Sequence, residues 1–314
     1  MRYYFAPMEG ITDSIYRRIH HKYFPGLDRY YMPFLSPTMH RCLSPKEKRE
    51  LPQSDSVPFV AIPQILTKNA DDFLWAARTC QQLGYEEVNL NVGCPSGTVV
   101  SKGKGAGMLR NKDELDGFLE RIFAESPIAV SVKTRLGMEQ ADEFPGLLEV
   151  FNQYPIRELT LHPRVRKQFY KGSVDMEMFR FAVQNSKNPL CYNGNLNSTD
   201  DIALFVQQFP SIQSVMLGRG LIGDPGMLCT GGTTTALLEE FTTELLDTYI
   251  EAFGSPRNAI FRMKENWGFL LHRFEDSEKL GKTLRKTTDI DQYRAITAQI
   301  IHTLPLAPKL QADW

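Results

Sequence analysis

The chain has 314 residues, 42% hydrophobic and 23% charged, with a formal net charge of -1 at pH 7, which reads as an ordinary globular protein and argues against a uniformly basic nucleic-acid binder but allows a basic face on a neutral molecule. Its five cysteines are scattered with no Cys-x-x-Cys pair, which argues against structural zinc or a disulfide scaffold and for a reducing cytoplasm, so no metal is expected. No run of about 18 apolar residues is present, so no membrane span is expected, and the start lacks the apolar core of a signal peptide.

Short apolar strands are predicted at residues 3–6, 30–35, 59–65, 87–91, 128–133, 158–162, 190–193 and 214–218. The later ones are rich in Val, Ile and Leu, as strands covered on both faces should be. Helical spacing fills the gaps. Residues 71–83 place Phe73, Leu74 and Ala77 on one face and stop at Gly84, a favoured residue just past a helix end. Leu115, Phe118, Leu119, Ile122 and Phe123 repeat the pattern, and Ser198-Thr199-Asp200-Asp201 reads as the cap of a helix carrying Phe205 and Val206. Pro58 and Pro63 conflict with the third strand, since proline removes a ladder hydrogen bond; they fit only at strand ends.

Eight such alternations predict an α/β protein, a (β/α)8 TIM barrel, over residues 1–232. The rival doubly wound sheet lacks its Gly-x-Gly-x-x-Gly after the first strand. After Gly231-Gly232 the strands stop. Phe241, Leu245, Leu246, Tyr249, Ile250 and Phe253 form one helical stripe, and Ile260, Met263, Trp267, Leu270, Leu271 and Phe274 another. Residues 233–314 are therefore expected to form a small C-terminal helical domain. No sustained heptad appears, and a monomer is expected.

Barrel enzymes gather their chemistry at the C-terminal ends of the strands. Here those ends carry Pro7-Met8-Glu9-Gly10, Gln64, Asn91 with Cys94, Lys133-Thr134-Arg135, His162-Pro163-Arg164, Asn193-Gly194-Asn195 and Gly218-Arg219-Gly220. Cys94 sits in Asn91-Val92-Gly93-Cys94-Pro95, ahead of a loop of small and basic residues ending at Gly107. A thiol braced there by glycine and proline is placed to give or take a proton. Such a thiol also reads as a small buried hydrophobe, Lys133 as a rim cation and His162 as a core imidazole. The shared position on successive strand ends favours the site. The seventh and eighth loops suit a phosphate, with Gly194 and Gly218 allowing close approach and Arg219 adding charge. Lys133 would face the ring of a phosphorylated cofactor, where a fixed cation stabilises a reduced flavin.

In this order the motifs resemble those of the tRNA-dihydrouridine synthases over nearly the full length. Two departures stand out: Asn89 and Asn195 occupy positions where that family often has an acid. The resemblance implies that Pro7, Met8, Gln64, Lys133, His162, Asn193, Gly194, Gly218 and Arg219 hold FMN. It further implies that Asn91, Arg135 and Arg164 hold the uracil or its nucleotide. NADPH would reduce the flavin, reduced FMN would give hydride to carbon 6 of a uridine, and Cys94 would protonate carbon 5. That role needs a neutral thiol, so Lys102 and Lys104 are expected to point away from it. The partner implied is tRNA or another structured RNA, with the basic and aromatic run 164–171 and the cations of the C-terminal region facing phosphate. A flavin barrel acting on a free pyrimidine, of the dihydroorotate dehydrogenase kind, and a non-catalytic flavin- or RNA-binding protein are the alternatives.

Overall fold

The computed structural model describes residues 1–311; the last three residues of the expected 233–314 domain lie outside the described residues. Nine parallel strands form one sheet: β1 (Arg2–Phe5), β2 (Arg29–Tyr31), β3 (Ala61–Ile62), β4 (Gln64–Ile65), β5 (Glu87–Val92), β6 (Ala129–Gly137), β7 (Leu159–Val165), β8 (Leu190–Tyr192) and β9 (Ser214–Leu217). Their order is β3-β2-β1-β9-β8-β7-β6-β5-β4. The sheet begins and ends on neighbouring halves of one expected strand, so it closes into a barrel.

Pro63 makes that break. It has no N–H to donate, and its carbonyl accepts from Asn89 N at 2.8 Å. β3 therefore pairs with β2, β4 pairs with β5, and a bridge from Leu35 to Ile65 completes the closure. Pro58 lies in the bend before β3, outside the sheet. Both prolines thus sit where a missing donor costs little.

The helices follow the expected pattern. Asn69 caps Ala70–Gln82 by accepting from Asp72 N, and Phe73, Leu74, Ala76, Ala77 and Cys80 are its buried face. Gly84 follows at φ +84°, in the left-handed region that favours glycine just past a helix end. Ser198 caps Thr199–Gln208 by accepting from Asp201 N. Within the barrel a small apolar cluster of Tyr4, Ala6, Tyr31, Ile62, Cys191 and Met216 fills the centre, and a second, larger core lies between sheet and helices.

The C-terminal region is helical, with Thr235–Phe253, Pro256–Leu270, Glu278–Lys286 and Ile290–Thr303 as its main elements. It is fastened to the barrel. Phe241 packs edge-on against Tyr16 at 5.7 Å and Phe24 at 5.2 Å between ring centres. Tyr249 donates to Asp13 at 2.9 Å. Trp267 Nε1 donates to Tyr293 Oη at 2.8 Å and ties two of the helices together. No helix among the described residues is long and apolar enough to cross a membrane.

Candidate active site

Strand register assembles the site. Gln64 lies opposite Asn89, Asn91 opposite Lys133, and Arg135 opposite His162. A cavity of about 340 Å³ opens at this end of the barrel. Pro7, Met8, Gln64, Asn91, Cys94, Lys133, Arg135, His162, Asn193, Gly194, Gly218 and Arg219 all line it. Of the residues expected from sequence, only Arg164 stands behind the wall.

A chain of amides seats the cysteine. Asn91 Oδ1 accepts from the N–H groups of Gly93 and Cys94 at 3.1 and 2.9 Å. Asn91 Nδ2 donates to Gln64 Oε1 at 2.7 Å, and Gln64 Nε2 donates to Asn89 Oδ1 at 2.7 Å. Asn89 Nδ2 donates to Ser131 Oγ at 3.0 Å. Every bond runs the same way, and these side chains are buried. From below, Gly105 supports the cysteine at φ +56°, a region that favours glycine. A Cβ on Gly105 would fall 3.0 Å from the Cys94 Cβ and 2.9 Å from Val99 Cγ1.

The thiol is kept protonated. Burial pushes its pKa up; a hydrogen bond from Ser96 and the charges of Arg135 and Lys133 oppose the shift without cancelling it. Lys102 is exposed, and Lys104 donates to Ser36 Oγ at 3.2 Å instead of facing the sulfur.

Basic side chains line the same cavity. Burial, then Arg135, lowers the Lys133 pKa to about 7. Burial, then Arg164, lowers that of Arg219 to about 10. The His162 imidazole is held well below its usual pKa by burial and by Arg135, Lys133, Arg164 and Arg219. It is therefore neutral. Its Nε2 lies 2.9 Å from Arg164 Nη1, and because a guanidinium can only donate, the ring hydrogen is on Nδ1.

Arg135 and Arg164 sit differently from the expectation that they hold the substrate. β6 and β7 run on to Gly137 and Val165, so both arginines lie within the sheet and are buried. Arg135 donates to the carbonyls of Gly93 at 2.8 Å and Phe169 at 2.6 Å. It braces the cysteine turn. Arg164 donates to His162, to Asn195 Oδ1 at 3.3 Å and to the Gly172 carbonyl. It positions His162 and the seventh loop from behind, and solvent does not reach it.

The cavity also contains Phe34 and Phe269, which the sequence did not single out, and Tyr170 from the basic and aromatic run 164–171. Tyr170, 48% exposed, stacks on His162 at 6.1 Å with rings 27° apart. The guanidiniums of Arg135 and Arg219 each lie 5.2 Å from its ring centre. Phe269 comes from helix Pro256–Leu270, so the C-terminal region completes the wall.

Comparison with known proteins decides the family. The family model described as dihydrouridine synthase matches residues 4–301.

The chain belongs to the dihydrouridine synthase family.

It is 27% identical over 225 residues to tRNA-dihydrouridine synthase B of Pasteurella multocida, covering 71% of this chain and 67% of that protein. It is 25% identical over 306 residues to a probable tRNA-dihydrouridine synthase of Rhizobium leguminosarum bv. phaseoli, covering 95% and 94%. Among solved structures, morphinone reductase superposes with a TM-score of 0.52 at 11% identity over 72% of this chain and 84% of that one. A 2-naphthoyl-CoA reductase complex gives 0.53 at 12% over 72% and 49%. These two are likenesses of fold.

The donor set of this dihydrouridine synthase fits a phosphorylated, redox-active ring. Among the described residues, Lys133 and Arg135, which line the cavity, have no carboxylate within ion-pair distance, although each is buried or half-buried. An anion is the partner such a cluster calls for. Gly218 leaves the wall open: a Cβ there would stand 3.5 Å from both Ala6 Cβ and Met8 Sδ, where the backbone otherwise meets the cavity directly.

Proposed function

We propose that this protein reduces the carbon 5–carbon 6 double bond of uridine in tRNA to dihydrouridine, using FMN reduced by NADPH. The observation that carries the reading is the presence in one cavity of a protonated Cys94, the basic side chains of Lys133 and Arg219, and the neutral imidazole of His162. When bound, reduced FMN supplies the hydride that carbon 6 accepts. The residues proposed to hold it are Pro7, Met8, Gln64, Lys133, His162, Asn193, Gly194, Gly218 and Arg219.

Cys94 acts as general acid, giving its proton to carbon 5 so that the new hydrogens come one from each partner. Asn91 holds the sulfur in place through the Cys94 N–H and presents the strand end against which the uracil rests. Lys133 carries positive charge to the cofactor side, where negative charge accumulates on reduction. Burial and the surrounding cations keep His162 neutral, and Arg164 fixes its tautomer, with the Nδ1 hydrogen as a donor. Tyr170, flanked by Arg135 and Arg219, offers an aromatic face at the cavity mouth for a base that has left its stack.

In this reading residues 1–232 are the catalytic barrel and residues 233–314 the RNA-binding part of a cytoplasmic monomer. Helix Glu278–Lys286 supports an RNA-facing role: Lys279, Lys282, Arg285 and Lys286 are all exposed on it. By contrast, Arg262, Arg273 and Arg294 face Asp13, Asp224 and Asp247 and serve the fold.

Incubation with a tRNA transcript free of modified bases, FMN and NADPH should yield dihydrouridine in the RNA and consume NADPH in step. A yellow protein that leaves the transcript unchanged would refute the reading. Equal turnover of free uridine would favour a free-pyrimidine reductase.

A further inference from the structure

Helix Pro256–Leu270 buries Ala259, Ile260, Met263, Asn266, Trp267 and Leu270 against the rest of the protein. Phe261 is the aromatic it leaves outside, 48% exposed. A single exposed phenylalanine needs no explanation by itself. This one is flanked by cations at helical spacing: the Arg257 guanidinium is 5.8 Å from the ring centre and the Lys264 ammonium 5.1 Å. Neither cation is within ion-pair distance of a carboxylate among the described residues.

The same helix reaches the active site. Arg262, the next residue, lines a cleft of about 1020 Å³, and that cleft shares Glu9, Phe34 and Gln64 with the active-site cavity. Phe269, two turns beyond Arg262 on the same stripe, lines the cavity itself. Phe261 and Phe269 are separated by about 12 Å along the helix axis at the α-helical rise. One rigid element therefore holds an aromatic face, with a positive charge at each side, a short run of unstacked nucleotides away from the cavity.

We propose that Phe261, with Arg257 and Lys264, is a stacking platform for an unpaired base of the substrate RNA close to the target uridine. The inference rests on the function proposed above. The ring supplies a sequence-tolerant π face, and the two long side chains now over it can swing aside to the flanking phosphates as a base takes their place. Charge complementarity favours RNA over an apolar protein partner, which would leave both cations desolvated and unpaired.

The test is steady-state kinetics of the flavin-loaded enzyme on an unmodified tRNA transcript. Phe261→Ala should raise KM on the order of 5- to 150-fold, the range for one lost base stack, with kcat at saturating transcript retained. Phe261→Trp should restore KM. The double variant Arg257→Gln, Lys264→Gln should reduce the slope of log KM against log salt by about 0.7 for each cation removed. If Phe261→Ala fails to retain flavin, the double variant alone decides. An unchanged KM in Phe261→Ala, or an unchanged salt slope in the double variant, overturns the platform. Wild-type enzyme that forms no dihydrouridine would instead overturn the function on which it rests.

Discussion

Arg164 Nη1 donates to His162 Nε2 across 2.9 Å, from a position that solvent does not reach. Two strand residues thereby fix one imidazole in a single tautomer and a single charge state. Arg164→Leu should cost about 1.5–3 kcal/mol, as expected for lost hydrogen bonds to a charged group, and should weaken flavin retention. The acid dependence should change too. His162 is neutral when folded, with its pKa depressed, so its contribution to stability is present above the unfolded value of about 6.5 and lost as pH falls. Removing the Arg164 charge lets the folded pKa rise, which makes that loss shallower. Urea midpoints between pH 7 and 5 would measure it, against a residual slope from His20, whose pKa burial pushes to about 3.

Cys94→Ala should retain flavin and lose dihydrouridine formation by roughly 10²- to 10⁴-fold, the usual range for a general acid. Because burial raises the thiol's pKa, single-turnover rates of pre-reduced wild-type enzyme should not fall through loss of the thiol proton between pH 6 and 8. A decline in that window traced to Cys94 would contradict a protonated thiol.

If the proposed site holds the flavin, Lys133 should make its binding a proton-linked event. Its pKa of about 7 in the free cavity leaves it mostly neutral at pH 8. An anionic cofactor should return it to the charged form, taking up about 0.9 proton at pH 8 and progressively less as pH falls below 7. Calorimetric titration of flavin-stripped protein in buffers of different ionisation enthalpy reads that uptake directly, and Lys133→Met should abolish it.

Gly105→Ala introduces a methyl group 3.0 Å from the Cys94 Cβ at a backbone φ of +56°. It should destabilise by more than about 1 kcal/mol and displace the sulfur. The expected result is slower turnover, an altered rate of Cys94 alkylation and unchanged flavin content.

Phe241→Ala should cost about 3–5 kcal/mol, because the ring is fully buried between the C-terminal helices and the first barrel helix. Deleting residues 233–314 would uncover Tyr16, His20 and Phe24 and remove the Phe269 wall. Such a truncation should be insoluble, as size-exclusion chromatography would show. It therefore cannot serve to distinguish an RNA substrate from a free pyrimidine.

The barrel was legible because its strands are apolar runs bounded by helical periodicity, and the mouth because strand ends collect polar residues. What escaped depended on distant partners. Arg135 and Arg164 read as holders of the substrate, since nothing local reveals that β6 and β7 continue past Lys133 and His162 or that the carbonyls of Gly93, Phe169 and Gly172 await their donors. Phe269 is an aromatic without a local pattern, and Tyr170 stands out only as part of the run 164–171; tertiary packing alone brings them to the cavity. Asn89 was visible as a departure from the family, but its bonds to Gln64 and Ser131 were not. Pro63 looked like an error in a strand and proved to be the seam of the barrel.

The amide succession from Ser131 to Cys94 contains no group that gains or loses a proton in ordinary solution. An aspartate at position 89 would have made the seat of the sulfur sensitive to acid. With asparagine there, the donors and acceptors cannot reverse without every member turning over at once, so the sulfur keeps the same address across the whole range in which the barrel stays folded.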